Sequence, residues 1–139
     1  MESAITEMGV TRRFRRVAEA VPAARAFVRR WLPDSEPAEG LVLAAAEALN
    51  NVVDHAFGDA FTVAVDLDGT VGTVTVVDVG PGFDVPEDPE MPDAFASRYR
   101  GLAMMHALAD GVEIVSSPDG TTVTLRHEFA PVRQRSAVA

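Results

Sequence analysis

LVLAAAEALNNVVDHAF, residues 41–57, decides how the chain is read. Ala and Leu dominate it, and both are strong helix formers. Pro37 suits a first turn, where its missing N–H costs nothing, and Ser35 or Asp34 just before it can cap. Leu41, Ala45, Leu49, Val52 and Val53 recur at three- and four-residue spacing and make one apolar face. The spacing predicts a long helix from about Glu36 to Phe57, with Gly58 as its stop. Glu47, Asn51 and His55 follow at i, i+4 and i+8 and stack on another face. Such a polar row is usually the wet side of a helix, and Asp54 fits that reading. The alternative is chemical: Glu47 accepts a proton or positions a water, and Asn51 offers an oxygen to a hard cation such as Mg²⁺.

Outward from that helix, the remaining elements alternate in kind. Residues 8–17 read as a strand with Val10, Phe14 and Val17 as buried candidates. Residues 20–32 read as a helix whose apolar face holds Val21, Ala24, Phe27, Val28, Trp31 and Leu32, closed by Pro33. Residues 61–68 and 71–79 alternate as half-buried strands around an Asp68–Gly69 turn. Residues 83–98 read as a long proline-rich loop, and loops of that length are usually functional or disordered. A helix over 100–109 presents Leu102, Met105, Leu108 and Ala109 on one side. Strands 111–117 and 121–129 follow, joined at Pro118–Asp119–Gly120, and the last ten residues read as a frayed tail. Helices bunched between strand pairs predict an α+β, two-layer α/β sandwich. Its sheet is mixed and mostly antiparallel, covered on one face by three helices.

Composition narrows the function. A chain of 139 residues suits one domain, with a core over about 10–129. With no cysteine, disulfides, thiolate catalysis and Cys-based metal sites are excluded, which fits a reducing cytosol. No apolar run reaches the roughly 18 residues of a membrane span, and the N-terminus lacks signal-peptide character. The expected location is the cytoplasm. A net charge of −9 argues against non-specific nucleic-acid binding. All twelve basic residues are Arg, and seven fall within residues 1–33. Arg12, Arg13, Arg15 and Arg16 can be the solvated side of an edge strand, or a grip for an acidic protein partner.

Two further motifs hold chemistry. Asp78-Val79-Gly80-Pro81-Gly82 ends a strand. Asp before Gly is common in turns, yet a carboxylate beside bare backbone is also how a protein admits a flat base. Arg100-Gly101-Leu102 opens a helix after the long loop, and a helix N-terminus is a ready phosphate seat. Asp119-Gly120-Thr121 by itself means only a turn.

In this order and spacing the motifs resemble the GHKL ATPases, whose nucleotide-binding unit is the Bergerat fold. The similarity is to the small bacterial anti-sigma-factor serine/threonine kinases of partner-switching systems, and it spans roughly residues 10–128. Glu47 to Phe57 matches the family's N box, Asp78 to Gly82 the adenine box, Arg100 to Asp110 most of the second glycine box, and Gly120 to Leu125 the closing strand.

The resemblance implies that ATP and Mg²⁺ are bound, with Asn51 as metal ligand and Glu47 as general base. It implies that Asp78 accepts from the adenine amino group. Gly80, Gly82, Gly101 and Leu102 would shape the pocket, with Thr121 supporting the adenine end through its hydroxyl; from their own chemistry, Arg98 and Arg100 either contact phosphate oxygens or form surface ion pairs with the acidic loop that precedes them. It implies a sigma factor and an anti-anti-sigma protein as partners, and a homodimer. His55 is expected to pack rather than react. Tyr99 stands where the family has the first glycine of Gly-x-Gly, and Asp84, Glu87, Asp88, Glu90 and Asp93 crowd the preceding loop. A catalytically silent nucleotide-binding adaptor is therefore the alternative. The ATP-binding half of a histidine kinase is a weaker one, since the chain has no room for a dimerisation unit bearing a phosphorylatable His.

Overall fold

The computed structural model describes residues 3–6, 9–79 and 97–129. In chain order the elements are β1 (Ser3–Thr6), β2 (Gly9–Arg15), α1 (Ala20–Arg30), α2 (Glu36–His55), β3 (Phe57–Asp68), β4 (Val71–Val79), α3 (Ser97–Leu108), β5 (Gly111–Ser117) and β6 (Gly120–Glu128). The six strands form one sheet in the order β1-β2-β3-β4-β6-β5. Every described ladder is antiparallel, a stricter pattern than a mixed sheet. The fold class is the α+β sandwich expected, with the helices on one face.

α2 forms as its sequence dictates. Ser35 is the N-cap, in extended conformation, and its Oγ accepts from the Ala38 N–H at 3.2 Å. Leu41, Ala45, Leu49 and Val52 are buried against the sheet. Burying one such Leu contributes about 1.5–3 kcal/mol. The helix ends earlier than the sequence suggests. His55 is its last residue, Ala56 is an extended cap, and Phe57 already pairs with Val79 of β4. Gly58, with φ of +89°, lies instead in the irregular start of β3, where the register with β4 shifts.

α1 buries Ala24, Phe27 and Val28, and Phe27 meets Phe14 edge-on at 6.0 Å while Phe14 stacks on Phe61 at 5.6 Å. Two expected core residues are not there. Trp31 lies past the end of α1, is 37% exposed, and has the Arg30 guanidinium over its ring. Val17 lies past the end of β2 and is 39% exposed. Leu102 and Met105 of α3 are buried, with Leu108 and Ala109 packed at the margin of the core.

The arginine-rich strand is not the edge of the sheet, because β1 pairs outside it from Ser3↔Arg12 to Thr6↔Gly9. Strand alternation puts Arg12 on the same face as buried Val10 and Phe14, with its guanidinium 5.0 Å from the Phe14 ring centroid. Arg13 and Arg15 are exposed. The loop over 83–98 up to residue 96, the tail from 130, and the side chains of Arg98 and Tyr99 lie outside the described residues.

Candidate functional site

The site is built at one end of the sheet. Asn51 sits six residues before Phe57, and Phe57 is the Cα partner of Val79, the neighbour of Asp78. A helix rises 1.5 Å per residue, so Asn51 lies within about 10 Å along the axis of that pairing. Asp78 shares strand parity with buried Val74 and Val76 and therefore faces the helix layer. α2 packs across β4 and β6. The helix-borne amide and the strand-end carboxylate thus belong to the same end of the molecule, on the helix-covered side of the sheet.

Asp78 is held from β6. One of its carboxylate oxygens, Oδ1, accepts the Thr121 N–H at 3.1 Å, and the two residues are register partners. Gly120, next to Thr121, leaves no room for a side chain, since a Cβ there would strike the backbone oxygen of Asp78. The Thr121 hydroxyl, on a residue only 5% exposed, is hydrogen-bonded to Ser116 Oγ of β5 at 2.9 Å. Three strands thereby align a carboxylate and two hydroxyls. The sequence reading found Asp78 and Thr121 and missed Ser116. Its signal was a polar residue at the inward position that continues Val112 and Ile114 along β5.

Glu47 and Asn51 are half-buried on α2, and both meet α3 at one point. A Cβ on Gly101 would lie 3.3 Å from Glu47 Oε1, 3.6 Å from Asn51 Nδ2 and 3.7 Å from Asn51 Oδ1. Gly101 therefore allows α3 to seat directly on the two polar side chains. Its expected place at a helix N-terminus is corrected. α3 starts at Ser97, so Gly101 is its fifth residue, and only the first four N–H groups of a helix lack an intrahelical partner. Tyr99 lies within the same helical turn, so its backbone needs no left-handed conformation. Leu102 is buried, 1% exposed, and acts as packing beneath the site, while Arg100 is exposed. His55 is exposed at the end of α2 rather than packed. Gly80 and Gly82 lie outside the described residues.

Among the described residues, no three His, Asp or Glu side chains gather as a metal cluster. What α2 offers is one carboxamide oxygen close to one carboxylate. That donor set suits Mg²⁺, which is commonly held by one or two protein oxygens with phosphates and water supplying the rest. No helix among the described residues is long and apolar enough to cross a membrane.

The chain is similar to known proteins in sequence and fold. The anti-sigma F factor of Pasteuria penetrans is 29% identical over 134 residues, covering 88% of this chain and 85% of that protein. The crystal structure of the RsbU and RsbW domains of a Mycobacterium tuberculosis protein superposes with a TM-score of 0.62 at 26% identity. That match covers 88% of this chain but only 34% of the larger protein. The histidine kinase domain of a blue-light activated kinase from Erythrobacter litoralis shares the fold, with a TM-score of 0.50 at 24% identity over 68% of this chain and 45% of that one. The model of the histidine kinase-like ATPase domain matches residues 10–127. The chain belongs to the histidine kinase-like ATPase domain family.

Proposed function

We propose that the chain is an ATP-dependent serine/threonine kinase that acts as an anti-sigma factor, phosphorylating an anti-anti-sigma partner in a partner-switching system of the cytoplasm. The observation that supports it most is the joint placement of Glu47, Asn51, Asp78 and Thr121 at one sheet end. Similarity to an anti-sigma F factor and to an RsbW domain points the same way.

In this reading Asp78, oriented by the Thr121 N–H, accepts from the adenine amino group. Gly80 and Gly82 let the ring approach, and Thr121 and Ser116 hydroxyls line that end. Asn51 holds Mg²⁺ through its carboxamide oxygen, and the ion when bound neutralises phosphate oxygens. Arg100 meets phosphate from α3. Glu47 takes the proton from a serine or threonine hydroxyl while that oxygen bonds the γ-phosphorus and the bond to the β-phosphate oxygen breaks, leaving ADP. Such a transfer asks mainly for positioning and charge, which one helical turn between Glu47 and Asn51 supplies. A sigma factor and a second copy of the chain complete the partner set.

A catalytically silent adaptor is the second reading, favoured by Tyr99 in place of a family glycine. Mg-ATP at one hundred times its dissociation constant should stabilise the chain by about 2.7 kcal/mol, read as a rise in Tm. Asn51→Ala should abolish that rise. Absence of a shift in the wild-type chain refutes nucleotide binding, and a shift without transfer to any anti-anti-sigma protein leaves the adaptor.

A further inference from the structure

A concave surface lies at the same end of the sheet, lined by none of the residues named for the nucleotide-type site. It is a cleft of about 770 Å³ where the end of β2 meets the start of β3, within the range of ligand clefts. Arg13, Arg15 and Arg16 line it with Phe14 and Val17, against a single carboxylate, Asp59. The three guanidiniums are not equivalent. Arg16 is committed to the fold: its Nε donates to Gly58 O at 2.8 Å and its Nη1 to Val53 O at 2.9 Å. Arg13 and Arg15 are exposed, two apart on one strand and hence on one face, and neither forms an ion pair or side-chain hydrogen bond among the described residues.

Asp59, the carboxylate that lines the cleft, is bonded to neither Arg13 nor Arg15. Guanidinium forks fit carboxylates in bidentate fashion. Val17, 39% exposed, adds an apolar surface that an inorganic anion would not use. A net charge of −9 opposes a long polyanion such as nucleic acid, whose field extends well past one cleft. A short segment engaged within the roughly 8 Å screening length of physiological salt feels chiefly the local arginines.

We propose that this cleft docks an acidic protein segment, an extended stretch whose carboxylates pair with Arg13 and Arg15 while an apolar side chain rests against the exposed Val17. The proposal does not depend on the nucleotide reading, because none of these residues belongs to that site.

A fluorescein-labelled peptide alternating Glu-Asp pairs with Leu is the probe, titrated into the full chain at low salt and followed by anisotropy. Saturable binding is expected, weakened roughly tenfold or more by R13E/R15E and by added salt, and retained in R13K/R15K. The melting temperature and Mg-ATP response of R13E/R15E should stay those of wild type, which separates loss of docking from loss of fold and from failure of the kinase reading. No peptide binding, or equal binding by R13E/R15E, overturns the proposal. So does tighter binding of an oligothymidylate of the same length, which would make the cleft a nucleic-acid site. Wild-type self-association that R13E/R15E abolishes, without peptide binding, would assign the cleft to a second copy of the chain and overturn it equally.

Discussion

On β4, β6 and β5, Asp78, Thr121 and Ser116 turn toward the helix layer and bond to one another. On β2, Arg13 and Arg15 turn away from it and are matched by nothing among the described residues. The first arrangement fixes its polar groups before any ligand arrives, which suits recognition of a small rigid molecule. The second leaves charge unsatisfied on an open surface, which suits a partner that brings its own counter-charges. One sheet thus separates a preorganised interior site from an exterior one by the direction in which neighbouring strands point their polar residues.

The strongest way to break this contrast is Glu47→Ala. Phosphoryl transfer to the partner protein should fall by roughly 10²–10⁴, the usual contribution of a positioned base, while ATP still binds and the acidic peptide still docks. Equal activity in radiolabel transfer would remove Glu47 as base. A smaller effect is expected at Arg16, whose side chain reaches from the cleft to α2. Arg16→Met removes two charge-assisted hydrogen bonds to backbone carbonyls, one of them at the end of the helix that bears Asn51. Stability in urea should drop by about 1–3 kcal/mol, and an unchanged midpoint would show the two halves to be mechanically independent.

The smallest effect belongs to a control remote from both surfaces, the exposed Arg29–Glu39 pair, bonded at 2.8 and 3.0 Å. The hydrogen bond from Arg29 holds the Glu39 carboxyl below its usual range, opposed by its partial burial and assisted by the charges of Arg29 and Arg25. A lowered carboxyl value contributes stability that is present above the unfolded value and lost as pH falls through the folded one. Glu39→Gln should therefore lower Tm slightly near neutrality, and the difference should shrink as pH falls below the usual glutamate range and vanish once the folded carboxyl is protonated. A difference that persists in acid would point to something other than charge.

Much of the architecture is legible in the residues because local rules and burial agree there. α2 shows its cap, its proline and its apolar spacing, and Glu47 and Asn51 are neighbours by helical arithmetic alone. β1 is harder: four residues, Ser-Ala-Ile-Thr, carry too little periodicity to announce a strand, so β2 reads as an edge when it is not. Trp31 and Val17 look like core because they are large and apolar, yet each falls one or two residues beyond its element, where the periodicity no longer applies. The bond between Asp78 and Thr121 spans 43 residues and depends on the β4–β6 register, which composition does not encode. Ser116 enters through the same register, one strand further out. Gly101 reads as a helix start because the turns before it hold Arg and Tyr rather than a capping sequence.

Only Ala56 stands between the last residue of α2 and the first of β3. An insertion between Asn51 and His55 would swing Asn51 by about 100° around the axis relative to the strand that follows, given 3.6 residues per turn. One added after Ala56 would invert which side of β3 meets the helices. The single-residue junction thus ties the rotation of Asn51 about its helix to the strand that follows.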